Sequence, residues 1–131
     1  VKRMREAGIR VLVGGDYGLN ITPHGTYAKE LQYFTDYFGF SPGEALQAAT
    51  KHGGEAFMPD GSLGTLEAGK IADMVIVKGN PLEQIGVLQD ADAIAAVLKE
   101  GQIYTGLLDN QSPHQKNAEQ LNQLLGARPC N

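Results

Sequence analysis

Ile9-Arg10-Val11-Leu12-Val13-Gly14-Gly15-Asp16 is an apolar run that ends in two glycines and a carboxylate. Ile9, Val11, Leu12 and Val13 form a nearly continuous aliphatic series, the pattern of a strand covered on both faces, as in a parallel sheet. Gly14 and Gly15 release the backbone from β geometry, so Asp16 sits where the strand leaves its sheet. That edge is where α/β folds keep their chemistry. Immediately upstream, Val1, Met4 and Ala7 share one stripe and Gly8 occupies a C′ position, so residues 1–8 read as the last turns of a helix. Helix, glycine, buried strand and aspartate make one α-to-β step of a wound sheet or barrel.

Outward from this stretch, Tyr17 to Gly25 has Gly, Asn and Pro without a period and reads as a loop. From Thr26, the residues Tyr27, Leu31, Phe34, Tyr37 and Phe38 recur at intervals of three and four, an amphipathic helix whose aromatic face is assigned to the core and whose end is Gly39. Ser41-Pro42-Gly43-Glu44 joins an N-cap serine, a proline at the first helical position and a glutamate three residues after the cap, which is a capping box. The helix it opens is expected to run to about His52 and stop at Gly53-Gly54, with a short turn over Glu55 to Met58 before Pro59-Asp60-Gly61. Beyond it the periodicity becomes β-like, with strands expected over 62–67, 72–77, 94–99 and 102–105 and turns over 68–70 and 99–102. In the intervening loop Leu82, Ile85 and Leu88 are expected to pack on those strands. A weakly amphipathic helix is expected in the polar tail, 110–131. The chain divides near Asp60, into a largely helical α/β part and a small antiparallel β part.

Composition bounds the function. The chain has 131 residues, 42% hydrophobic and 20% charged, which is the make-up of one globular domain. No segment approaches the ~20 apolar residues of a membrane span. A net charge of −4 argues against nucleic acid and anionic membrane surfaces, which favour a basic face, and points to a small-molecule ligand. The single cysteine, Cys130, has no intrachain partner for a disulfide, which fits a reducing compartment. The first residue falls inside a helical pattern with no capping residue, so further polypeptide is expected before Val1.

Two residues are candidates for chemistry. Asp16, at a strand end, has the carboxylate to ligate a metal and to accept a proton from water, since a divalent cation lowers the pKa of a bound water to about neutrality. A turn or helix-capping aspartate is the alternative. His24, in the following loop, suits metal binding, proton transfer or contact with a substrate carboxylate, or is simply an exposed loop histidine. His52, at a predicted helix end, suits the macrodipole there and reads as structural, while His114 has no partner nearby. A hydrolytic metal site needs about three or four protein ligands, and the chain has no HxH, HExxH or Cys/His cluster. Dinucleotide and P-loop signatures and a nucleophile elbow are absent too. The sequence supplies part of a site.

Gly14-Gly15-Asp16, His24-Gly25, Glu30-Leu31, Ser41 to Leu46, Ala48-Ala49-Thr50, Gly64 to Val77 and Asn80-Pro81-Leu82 together resemble the C-terminal third of the metal-dependent amidohydrolase superfamily, in the branch of imidazolonepropionase-like hydrolases and dipeptidases. The likeness spans Val1 to Asp109, and its most specific piece is Gly69-Lys70-Ile71-Ala72-Asp73 ahead of an apolar strand. The resemblance implies an α/β fold: residues 1–60 as the last βα portion of a (β/α)8 TIM-like barrel, and 61–109 as a segment of a small β-sandwich. It makes Ile9 to Val13 the eighth barrel strand. It implies that Asp16 binds the metal and acts as general base, and that His24 faces substrate. The implied cofactor is a divalent metal, zinc as one or two ions, with most ligands before Val1. The implied activity is hydrolysis of an amide, cyclic amide or peptide-like C–N bond. The implied partners are the upstream part of the same enzyme, an amide or peptide substrate and further copies of the chain. The alternative is a non-catalytic module that keeps this fold piece for binding or assembly.

Overall fold

The computed structural model describes residues 1–106. The expected tail helix, with His114 and Cys130, lies outside the described residues. In chain order the elements are helices α1 (Lys2–Glu6), α2 (Lys29–Phe38) and α3 (Pro42–Gln47), a π-helical turn (Ala48–His52), helix α4 (Gly53–Phe57), strand β1 (Met74–Val77), two 3-10 turns (Ile85–Gln89 and Ala91–Ala93), and strands β2 (Ile94–Lys99) and β3 (Gln102–Gly106).

The core forms where the helices meet. Leu31 and Phe34 of α2, Ala45 of α3, Ala48 and Ile85 are buried together, and Val11, Val13, Phe38, Phe40 and Leu88 pack around them. Phe34 stacks edge-on against Phe38 and tilts onto Phe40, at centroid separations of 5.5 and 4.9 Å. Such pairs add to what area burial alone contributes. The capping box forms as expected: the Glu44 amide donates to Ser41 Oγ at 3.3 Å and the Ser41 amide to Glu44 Oε2 at 2.8 Å. The Arg5 guanidinium also donates to Glu44 and to the Gly39 carbonyl and lies over the Phe40 ring, tying α1 to the α2–α3 corner.

β1, β2 and β3 make an antiparallel sheet in that order. Met74 lies opposite Leu98, and Lys99 opposite Gln102. Glu100 and Gly101, at φ +52° and +79°, form the two-residue turn that such a hairpin requires.

Several expectations need correction. Ile9 to Val13 is not a fully buried strand: it has no regular structure, Val11 and Val13 pack on the helical core, and Ile9 and Leu12 are 51% and 40% exposed. A parallel strand exists through hydrogen bonds to its neighbours, and none of those lies among the described residues. Gly53-Gly54 does not end the helix, which passes through the π turn into α4. Gly54 instead serves a crossing with Gly64: a Cβ on Gly54 would lie 2.5 Å from the Leu63 carbonyl oxygen, and one on Gly64 2.5 Å from that of Thr50. Residues 62–67 bend rather than form a strand, because Gly64 sits at φ +98° and the Ile71 amide folds back to the Ser62 carbonyl at 2.9 Å. The strand expected over 72–77 begins at Met74. Ile85 and Leu88 pack with the helices and not on the sheet, while Leu82 stays exposed.

Candidate active site

Asp16 follows the apolar run, which forms no strand among the described residues, and is exposed. Its backbone is tied on both sides. The Thr22 hydroxyl donates to the Asp16 carbonyl at 2.6 Å, and two residues before Asp16 the Gly14 amide donates to Glu30 Oε1 at 3.2 Å. The loop closes on itself through the Gly18 amide to the Thr22 carbonyl at 2.9 Å and the Thr22 amide to the Leu19 carbonyl at 3.0 Å.

Tyr17 fills the space beneath. Its hydroxyl reaches Glu30 Oε2 and the Tyr27 carbonyl, each at 3.4 Å, and its ring meets that of Tyr27 edge-on at 4.6 Å. Burial first, and then the Glu30 charge and hydrogen bond, raise the Tyr17 phenol above its usual value, because both disfavour the phenolate. The hydroxyl keeps its proton at neutral pH and acts as a donor.

His24 folds back over the same loop. His24 Nδ1 and the Tyr27 hydroxyl share a hydrogen bond of 2.7 Å. A Cβ on Gly18 would lie 3.2 Å from His24 Nε2, so the absence of a side chain at 18 lets the imidazole rest there. Asp16 and His24 therefore belong to one loop, but among the described residues no hydrogen bond or ion pair joins their side chains. His52 lies in the π turn, in the middle of a continuous helical path and not at its end.

Thr22 and Glu30 join this site with no motif to mark them, and Tyr27, expected in the core, belongs to it as well. Tyr27 is 51% exposed because α2 starts only at Lys29, which leaves it in the loop. Tyr37 is exposed as well, so the buried stripe of α2 reduces to Leu31 and Phe34 with Phe38 at its edge. One local signal for Glu30 was present: an acid in a helix's first turn, where the macrodipole favours it.

Among the described residues no group of three or more His, Cys, Asp or Glu side chains is placed to hold a metal ion. Asp16 offers one hard oxygen donor where a hydrolytic centre takes about three protein ligands. Residues 1–106 do not by themselves make such a centre. No helix among them is long and apolar enough to cross a membrane.

Comparison with known proteins places this loop in a family. The model of the amidohydrolase family matches residues 1–104. Over 102 residues the chain is 35% identical to the ochratoxinase of Aspergillus niger, an alignment covering 77% of this chain and 20% of that protein. It is 31% identical over 102 residues to an imidazolonepropionase of Symbiobacterium thermophilum, covering 78% of this chain and 24% of the relative. The chain thus spans about a fifth to a quarter of the length of these relatives. The crystal structure of A. niger ochratoxinase superposes with a TM-score of 0.71 at 33% identity, over 80% of this chain and 24% of that one. That of a Xaa-Pro dipeptidase with methionine bound in its active site gives 0.70 at 34%, over the same shares. The chain belongs to the amidohydrolase family, in the branch that includes the imidazolonepropionase-like hydrolases.

Proposed function

We propose that this chain is the C-terminal portion of a metal-dependent hydrolase that cleaves an amide, cyclic amide or peptide-like C–N bond. In this reading residues 1–60 close a (β/α)8 barrel and 61–109 belong to a composite β-sandwich. The observation that carries it is Asp16: a carboxylate at the end of an apolar run, fixed through its backbone on both sides, in a chain of the amidohydrolase family. A barrel of this kind takes ~250 residues, so the other strands and most metal ligands are supplied by polypeptide outside this chain. Relatives include a Xaa-Pro dipeptidase and an imidazolonepropionase, which favours a small substrate with one scissile C–N bond.

Asp16 would hold a divalent metal, zinc as one or two ions, together with ligands outside this chain, and would serve as the general base for the water that the metal activates. A bound divalent cation lowers the pKa of water to near neutrality. The Asp16 carboxylate takes the proton of the attacking water and can return it to the leaving nitrogen. His24, held by Tyr27, contacts substrate from the same loop.

The test is Asp16→Asn in the complete enzyme carrying this segment, assayed on dipeptides and N-acyl amino acids, with metal measured per protein. Loss of a general base lowers rate by ~10²-fold to ~10⁴-fold. His24→Asn should raise KM more than it lowers kcat, as for a group that only binds substrate. Near-normal kcat in Asp16→Asn at full metal occupancy contradicts the assignment. A complete protein that holds no stoichiometric metal under metal-replete conditions is instead a non-catalytic module.

A further inference from the structure

We propose that Glu30 is a positioning residue for Asp16, and that with Thr22 it sets the direction in which the Asp16 carboxylate leaves the apolar run. The inference rests on the reading of Asp16 as the catalytic carboxylate. It goes beyond that reading by assigning a role to a residue thirteen or more positions away in sequence from the groups it holds.

An acid in the first turn of a helix ordinarily faces that helix's own free amides. Glu30 lies in the first turn of α2, whose N-cap residue, Ala28, makes no side-chain cap. Yet its carboxylate reaches back to the Gly14 amide at 3.2 Å through Oε1 and to the Tyr17 hydroxyl at 3.4 Å through Oε2. One carboxylate thus grips the residues two before and one after Asp16. The fit extends to Gly15, where a Cβ would stand 2.5 Å from the Tyr17 ring and 3.1 Å from Glu30 Oε2. A side chain at 15 would push the Tyr17 ring or the Glu30 carboxylate aside, so the second glycine leaves room for this contact. Thr22 closes the clamp from the other side, through its 2.6 Å bond to the Asp16 carbonyl. The half-buried Glu30 side chain fixes a backbone whose own catalytic residue is exposed. Supporting groups of this kind keep a ligand or base within the narrow geometry that chemistry requires.

Glu30→Ala removes both acceptors; Glu30→Gln keeps one oxygen to accept from the Gly14 amide. In the complete enzyme, Glu30→Ala is expected to lower kcat about 10-fold to 100-fold, the range typical of groups that orient a metal ligand, with KM within about twofold. Glu30→Gln is expected to restore most of the loss. Zn²⁺ affinity, read by competition with a chromophoric chelator, should weaken about tenfold in Glu30→Ala by the same reasoning. In an Asp16→Asn background, adding Glu30→Ala should cost less than about threefold more, because groups that act as one unit are not additive. Should Glu30→Ala fail to fold, Thr22→Val removes the other arm with little change of shape and is expected to lower kcat about tenfold at constant KM. Unchanged kcat in folded Glu30→Ala, or an equal further loss in the Asp16→Asn background, overturns the inference while Asp16→Asn keeps its own large loss. Full turnover in Asp16→Asn itself overturns the functional reading and this inference together.

Discussion

Ile9-Arg10-Val11-Leu12-Val13 and Ile94-Ala95-Ala96-Val97-Leu98 are two aliphatic runs of the same length, and they meet different fates. The second becomes β2, paired with β1 on one side and β3 on the other, with Ala96 and Leu98 buried. The first has two valines on the helical core, Ile9 and Leu12 exposed, and no strand partner among the described residues. Strand preference is mostly a preference for a pleated, half-buried surface with neighbours. β2 finds β3 across a two-residue turn and β1 across residues 78–93, both within the described chain. In the proposed barrel the first run would need neighbours that no local hairpin can give, as a parallel strand does. Regular structure here marks where the partners lie within the described residues, while the proposed catalytic carboxylate follows the run that has none there.

The largest effect that would sharpen this contrast is at β2. Leu98→Ala deletes a side chain that is 4% exposed and is expected to cost about 2–5 kcal/mol, read by urea unfolding of this chain. The matching change in the first run, Leu12→Ala, should cost no more than about 0.5 kcal/mol in this chain, the level of a surface substitution. In the complete enzyme the same change should rise toward the cost of a core deletion. Equal costs for Leu98→Ala and Leu12→Ala in this chain would erase the distinction.

The smallest effect concerns the corner that sets α3 beside the first run. The Ser41 amide, then the Ser41 hydroxyl, with Arg5 beside them, hold the Glu44 carboxyl below its ordinary value of 4.5. A carboxylate lowered in the folded state adds stability above its unfolded pKa and loses that share as pH falls through the folded one. Stability should therefore drop below about pH 4.5, and Glu44→Gln should flatten that acid limb while lowering stability at neutral pH. An unchanged acid limb in Glu44→Gln would assign the drop to other carboxylates.

What was legible in the sequence was local. The capping box depends on residues three apart and the Glu100-Gly101 turn on adjacent ones, and both stand where the sequence put them. The end of the apolar run at Gly14-Gly15-Asp16 was readable for the same reason. Glu30 was not, since the groups it grips lie sixteen and thirteen residues away and helix periodicity says nothing about which loop a first-turn acid will meet. Gly54, expected with Gly53 to stop a helix, and Gly64, expected within a strand, misled in a related way. A Gly-Gly step usually ends a helix, but Gly54 and Gly64 permit two backbones to cross at close range, a demand set by tertiary contact. Ile85, equally apolar whether it faces a sheet or a helix, joined the helices.

Amide hydrogen exchange of residues 11–13 separates the two fates most directly, measured in this chain alone and in the complete enzyme that carries it. The expected result is rapid exchange of the Val11, Leu12 and Val13 amides in this chain, beside slow exchange of Val97 and Leu98, and strong protection of both runs in the complete enzyme. Protection of residues 11–13 in this chain alone, or their rapid exchange in the complete enzyme, would contradict a strand that waits for partners from outside the chain and presents Asp16 at its end.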